Sequence, residues 1–280
     1  MAGLAKDMEG VFDLSGRVAI ITGGAGLLGE QHARALASAG CSTVLVDISA
    51  ERAAAKAQAI TLEFGSPSIG LATDITSQQS LQALARQIRE QFGRVDILIN
   101  NAANNPKVEA NSQVNFSRLE NFPLPQWEAD IAVGLTGAFL CSQIFGSWMA
   151  ERGSGTIINV ASDLALIGPD QRIYRHPGLP EHLQPVKPVT YAVVKSALLG
   201  LTRYLATYWA GKGVRVNSIS PGGVLNGQPE EFLEKLSALI PMGRMARFDE
   251  YQGAILFLSS DASSYMTGAN LVVDGGRTCW

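Results

Sequence analysis

The run Val18-Ala19-Ile20-Ile21 is apolar without a break, a helix-patterned stretch occupies Gly26–Ala39, and a second apolar run follows at Ser42–Val46. Successive strand side chains point to opposite faces, so a strand that never alternates is covered on both sides. Strand, helix, strand in short succession requires parallel pairing, because the helix is the crossover that brings the chain back to the same edge. The rhythm continues, with strands expected at Ser68–Ala72, Val95–Asn100, Gly155–Val160, Val214–Ser218 and Ala269–Val273, and helices near 50–63, 77–92, 125–151, 189–211 and 249–259. This pattern implies an α/β chain: a single doubly wound, seven-stranded parallel sheet with helices on both faces. No linker, repeat or low-complexity stretch interrupts it, so residues 1–280 read as one domain.

Charge narrows the function classes. The net charge is −3 with both signs interspersed, which offers no basic stripe for nucleic acid and no polybasic segment for an anionic membrane. Met1 to Gly10 lacks an apolar core of signal-peptide length, and no run of about 18 uninterrupted apolar residues occurs. A cytoplasmic protein with a small-molecule substrate is expected. Cys41, Cys141 and Cys279 are odd in number and lack metal-ligand spacing, and His32, His176 and His182 form no H-x-x-x-H pair, so no metal site is expected.

Thr22-Gly23-Gly24-Ala25-Gly26-Leu27-Leu28-Gly29 ends the first strand and opens the first helix. Gly24, Gly26 and Gly29 satisfy G-x-G-x-x-G in the context where it binds a dinucleotide: the glycines allow close approach to a pyrophosphate, and the helix N-terminus offers unpaired N–H groups. Asp47 closes the second strand about 20 residues on, where a carboxylate binds ribose hydroxyls and repels a 2′-phosphate, so NAD(H) is the expected cofactor. Arg52, one turn into the next helix, is positioned to soften that preference.

Tyr191 and Lys195 stand one turn apart on a helix. A neighbouring ammonium favours the phenolate and makes a tyrosine a proton donor and acceptor nearer neutrality. By itself the pair is equally the mark of a half-buried Tyr with a solvated Lys. Two connections, about 103–124 and 164–188, exceed ordinary loop length and follow strand C-termini, where open α/β sheets bind ligands. They read as substrate loops, or else as surface decoration or oligomer contacts.

With these landmarks in order, the chain resembles the short-chain dehydrogenase/reductase family over nearly its whole length: the glycine loop, Asp74-Ile75, Asn100-Asn101-Ala102-Ala103, Ser162, Tyr191-x-x-x-Lys195 and Pro221-Gly222. The resemblance implies a Rossmann-type fold and a nucleotide-binding oxidoreductase that interconverts a secondary alcohol and a ketone with NAD(H). It implies that Ser162 holds the substrate oxygen, that Tyr191 transfers the proton, and that Lys195 binds the nicotinamide ribose and lowers the tyrosine pKa. It also implies a cofactor site of Gly23, Gly24, Gly26, Leu27, Leu28, Gly29, Asp47, Ile48, Asp74, Ile75, Asn101, Ala102, Ala103, Tyr191, Lys195, Pro221, Gly222, Val224 and Asn226, with Asn100 in the cofactor channel. Three positions depart from the pattern. Gly134 stands where an asparagine of the proton relay is usual, leaving a water, Asn101 or Asn104 to take its place. The loop also reads as T-G-x-x-G-x-x-G, the form of NAD-retaining epimerases and dehydratases, although the C-terminal sequence is similar to the shorter reductase branch. Asn226 replaces a common threonine. A sugar epimerase or dehydratase and a non-catalytic dinucleotide sensor are the competing functions.

Arg172, Arg175 and His176, with Lys187 and Tyr174, gather in the second long loop, and Lys107 and Arg118 sit in the first. These cations are the expected readers of a polar or anionic substrate such as a sugar derivative, the alternative being a solvated loop. The segment around Ile167–Arg175 looks like reductases of sugar and flagellin-glycan modification. Residues of about 226–240 read as an amphipathic lid. Phe139, Phe145, Trp148, Tyr204, Tyr208 and Trp209 make the helices at 125–151 and 189–211 apolar over much of their circumference. Core packing accounts for this, as does a homotetramer or homodimer built on those helices, with Trp280 at the interface.

Overall fold

The computed structural model describes residues 10–104 and 116–280. Its seven strands are β1 Val18–Thr22, β2 Ser42–Asp47, β3 Ser68–Ala72, β4 Ile97–Asn100, β5 Gly155–Val160, β6 Val214–Pro221 and β7 Asn270–Val273. They form one sheet in the order β3-β2-β1-β4-β5-β6-β7, and each pairing is parallel. The chain winds outward from β1 in one direction through β2 and β3, then crosses back to β4 and winds the other way. That reversal between β1 and β4 is the crevice where open sheets of this kind bind ligands.

The helices are α1 Leu27–Ser38, α2 Ala50–Phe64, α3 Gln78–Phe92, α4 Leu124–Arg152, α5 Val189–Trp209, α6 Glu230–Ser237 and α7 Gln252–Ser259. Ser49 and Ser77 cap α2 and α3, accepting from the N–H of Arg52 and Ser80. The unbroken apolar strands feed two cores. Ile20, Val44, Leu98 and Ile157 pack with Phe145, Leu205 and Trp209 on one face, while Ile21, Leu45, Ile99 and Ile158 pack with Leu36, Ile60 and Leu258 on the other. By length and composition α4 is apolar enough to cross a membrane, but Cys141, Phe145 and Met149 lie fully buried in the first core. Two π-helical segments, Ala132–Thr136 and Ser142–Gly146, interrupt α4.

Two strand ends differ from the sequence expectation. β4 begins at Ile97 because the Asp96 carboxylate turns back to accept from the Val18 N–H (2.9 Å) and to pair with Arg94 (2.7 Å). β6 continues to Pro221 because Ser218–Pro221 pair in register with Asn270–Val273, an edge that serines and a proline conceal from any apolar pattern. Over the open end of the sheet sits a small third core in which Ile173 and Tyr174 of the second long loop meet Phe232, Leu236 and Ile240.

Candidate active site

The glycine loop leaves β1 as a tight cradle. Gly23 takes a left-handed φ of +62°, and a Cβ on Gly29 would stand 2.1 Å from the Gly23 carbonyl oxygen. Only hydrogen at position 29 lets the first turn of α1 settle on the loop. Gly26 caps α1 without a side-chain hydrogen bond, so the first N–H groups of α1 have no capping side chain and present their positive potential to an anion. Asn101 ties the cradle to β4: its Nδ2 donates to the carbonyls of Thr22 (3.0 Å) and Gly23 (3.2 Å). At the end of β2 the Asp47 carboxylate is nearly buried and accepts from the N–H of Ala25 (3.2 Å) and Ser49 (3.2 Å) and from Arg52 (3.2 Å). A close-approach loop, an uncapped helix N-terminus and a carboxylate one strand away together fit a dinucleotide.

From this cradle a pocket of about 390 Å³ extends along the strand ends. Leu27, Leu28, Asn101, Pro221, Gly222, Val224 and Asn226 line one part of it, and Ser162, Tyr191 and Lys195 line another. β5 delivers Ser162 at its C-terminus in extended backbone (φ −168°), and α5 delivers Tyr191 and Lys195 from its first turns. Lys195 Nζ donates to the Val160 carbonyl at 2.6 Å and lies 5.8 Å from the Tyr191 ring centroid. Burial pushes the Lys195 ammonium down to about 8, aided by the charge of Lys187. Burial likewise pushes the Tyr191 phenol above its ordinary range; the Ser162 hydroxyl opposes this and the Asp163 carboxylate reinforces it. In net direction burial therefore outweighs the lowering that the family resemblance assigns to Lys195.

Three further charged groups share this pocket, of which Lys187 alone is among the loop cations expected to read the substrate. The first is Lys187, whose Nζ sits 3.8 Å from the Tyr191 ring centroid and whose ammonium burial pushes down to about 8. The others are Asp163 and Arg277, joined at 2.7 Å with side chains 4% and 7% exposed. Asp163 follows the Ser162 landmark directly, which is a signal the sequence held. Arg277 lies past β7, more than 100 residues away, and nothing in the pattern links it to the serine.

The other cations of the second loop lie elsewhere. Arg172 is largely exposed and pairs with Asp170 at 2.6 Å, and Arg175 pairs with Glu181. The His176 backbone N–H donates to Gln184 Oε1 and its carbonyl accepts from Gln184 Nε2. None of the three lines the pocket; from that loop Leu164, Ile173, Tyr174 and Lys187 do. Local acid–base pairing won over inward projection because Asp170 and Glu181 stand within a few residues of the arginines. Lys107 and much of the first expected substrate loop lie outside the described residues.

Other expected cofactor residues separate by environment. Ile48 and Asp74 are exposed, while Ile75 is buried against Gly137 of α4. Ala102 donates its N–H to Thr22 Oγ1 at 3.1 Å. Asn100 points into the core, bonding Ser142 (3.1 Å) and Asn159 (2.8 Å), and does not line the pocket. Behind Tyr191 a cavity of about 10 Å³ lies between Ala103, Asn104, Asp130, Gly134, Thr190 and Lys195, about the room one water needs. A Cβ at Gly134 would stand 2.5 Å from Val194 Cγ1, so Val194 occupies space that a side chain there would need. A larger depression of about 750 Å³, lined by Arg17, Arg215 and Asp261, opens at the N-terminal ends of the strands, opposite the glycine loop.

Residues 17–174 match the short chain dehydrogenase family, and residues 181–278 match the family described as Enoyl-(Acyl carrier protein) reductase. The chain belongs to the short-chain dehydrogenase/reductase family, whose members are nicotinamide-dependent oxidoreductases acting on alcohols. It is 36% identical to D-threitol dehydrogenase of Mycolicibacterium smegmatis over 95% of both chains. It is 31% identical to NAD-dependent glycerol dehydrogenase of Listeria innocua over 98% of both. Its fold superposes with a TM-score of 0.84 on a gluconate 5-dehydrogenase from Burkholderia cenocepacia crystallised with NADP and tartrate, at 29% identity, covering 97% of this chain and 99% of that one.

Proposed function

We propose that this protein is an NAD(H)-dependent dehydrogenase that interconverts a secondary alcohol and a ketone on a polyol or sugar-derived substrate, with Tyr191 as the acid/base group. The observation that carries this reading is the meeting of Ser162, Tyr191 and Lys195 in one pocket that opens onto the glycine loop. A bound nicotinamide supplies the hydride acceptor for oxidation and the donor for reduction. In the oxidative direction Tyr191 takes the carbinol proton as the phenolate; in reduction the phenol returns a proton to the oxygen left negative at the former carbonyl. Ser162 stands beside Tyr191 in the pocket, and its hydroxyl turns from Asp163 to hold that oxygen. Lys195, anchored on the Val160 carbonyl, keeps a positive charge beside the ring. The Asp47 carboxylate favours ribose hydroxyls over a 2′-phosphate, which supports NAD(H), while Arg52 at 3.2 Å is the residue through which NADP(H) would gain a hold.

The names of the relatives support small hydroxylated substrates. Exposed Phe139 on α4 and exposed Tyr204 and Tyr208 on α5, the last two stacked at 5.9 Å, support assembly through those helices. Buried Phe145, Trp148 and Trp209 belong to the core instead. The test is to follow NADH absorbance while purified protein meets D-threitol, glycerol, gluconate and related polyols with NAD or NADP. NAD-linked turnover of at least one secondary alcohol is expected, and turnover that requires NADP would overturn the cofactor assignment.

A further inference from the structure

The carboxylate of Asp163 has no proton to give, so each of its contacts identifies a donor. Oδ2 accepts from Arg277 at 2.7 Å, while Oδ1 accepts from the Leu164 N–H at 2.8 Å and from Ser162 Oγ at 2.7 Å. The single Ser162 proton is therefore directed at Asp163, and the Leu164 N–H occupies one of the Ser162 lone pairs at 3.2 Å. What Ser162 turns toward Tyr191 is fixed by a carboxylate that is itself held by an arginine from the far end of the chain. That arginine is aimed by its own turn: after β7, Asp274 accepts from the N–H of Gly276 (2.9 Å) and Thr278 (2.8 Å), which curls the tail back over the strand ends.

We propose that Asp163 and Arg277 are a positioning pair for the proton-transfer step, in which Asp163 orients the Ser162 hydroxyl and Arg277 offsets part of the negative charge that Asp163 imposes on Tyr191. The inference rests on the reading of Tyr191 as the acid/base group. The charges around Tyr191 make the compensation matter. Lys195 lies on its own helix, Lys187 in the preceding loop, Asp163 after β5 and Arg277 after β7, while Asp130 of α4 reaches it through Thr190 (2.5 Å). The phenols of Tyr174 and Tyr251 complete the ring of titratable groups. A buried charge that loses its partner is strongly unfavourable and acts over the whole pocket. Tyr174 senses the same two groups: burial pushes its phenol up to about 12, Arg277 pulls it down and Asp163 pushes it up.

The experiment is to titrate Tyr191 by its tyrosinate absorbance, as the difference between each protein and its Tyr191→Phe counterpart, alongside the pH profile of alcohol oxidation. Arg277→Met leaves Asp163 uncompensated, and the Tyr191 midpoint is expected to rise by about one pH unit or more; Asp163→Asn leaves Arg277 in excess and is expected to move it in the opposite direction. Arg277→Lys should restore the midpoint. The doubly apolar Asp163→Leu/Arg277→Met, which buries no unpaired charge, should titrate close to the unmodified protein but show a raised KM, because Ser162 is no longer oriented. This variant keeps the test informative if Arg277→Met does not fold. Unchanged midpoints in the folded single variants, or a double variant displaced with a normal KM, would overturn the pairing. An inactive protein whose tyrosinate midpoints nonetheless move as described would refute the dehydrogenase reading and leave the charge pairing standing.

Discussion

Lys187 Nζ lies 3.8 Å from the centroid of the Tyr191 ring, closer than Lys195 at 5.8 Å. The candidate acid/base tyrosine thus carries two ammonium groups, one from its own helix and one from the loop before it. Both are pushed down to about 8 by burial, so their support for the phenolate is complete well below that pH and fades as pH rises through it. Lys187→Met removes the closer charge, and the acidic limb of the oxidation profile is expected to move to higher pH by up to about one unit. A profile measured across the neutral and alkaline range checks this, and an unmoved limb would show that the ring contact is packing alone.

Asp47 governs cofactor choice. Asp47→Asn keeps one of the two backbone hydrogen bonds, because Ala25 and Ser49 donate to different carboxylate oxygens, but it removes the repulsion of a 2′-phosphate and releases Arg52. Charge-assisted hydrogen bonds contribute about 1.5–3 kcal/mol, so NADH binding should weaken by roughly tenfold or more while NADPH binding tightens. Fluorescence titration with both cofactors reads the change directly.

Gly29→Ala places a methyl 2.1 Å from the Gly23 carbonyl oxygen. Backbone lies on both sides of the contact, so no side-chain rotation relieves it, and overpacking of this kind costs about 1–3 kcal/mol. A lowered melting temperature together with weakened NADH binding is expected, because the cradle has to open to admit the methyl.

Gly134 is coupled to Val194. Gly134→Asn alone drives a side chain into Val194 Cγ1 and is expected to destabilise the protein by about 1–3 kcal/mol. In Gly134→Asn/Val194→Ala the space is restored, and the total penalty measured by denaturant unfolding should be smaller than the two single penalties added together.

The parallel sheet was legible because unbroken apolar strands such as Val18–Ile21 exist only where helices cover both faces, and that constraint is local to a few residues. The glycine cradle was legible for the same reason: Gly29 is required by contacts within six residues of itself. Sequence reports charge but not direction: Lys187 of the second loop enters the pocket, whereas Arg172 and Arg175 spend their charge on Asp170 and Glu181. Asp163 was visible beside Ser162, yet its meaning depends on Arg277, which arrives through the closure of the whole sheet. No spacing rule carries a contact between residues 114 positions apart.

The measurement that bears most directly on the proposed chemistry compares Tyr191→Phe with the unmodified protein in two assays, NADH formation from the best alcohol substrate and direct NADH binding. Loss of turnover by at least about 10²-fold with NADH affinity nearly unchanged is expected, since a poised acid contributes roughly 10²–10⁴ in rate. A Phe variant that turns over the alcohol at the unmodified rate would contradict the assignment of Tyr191 as the proton-transfer group.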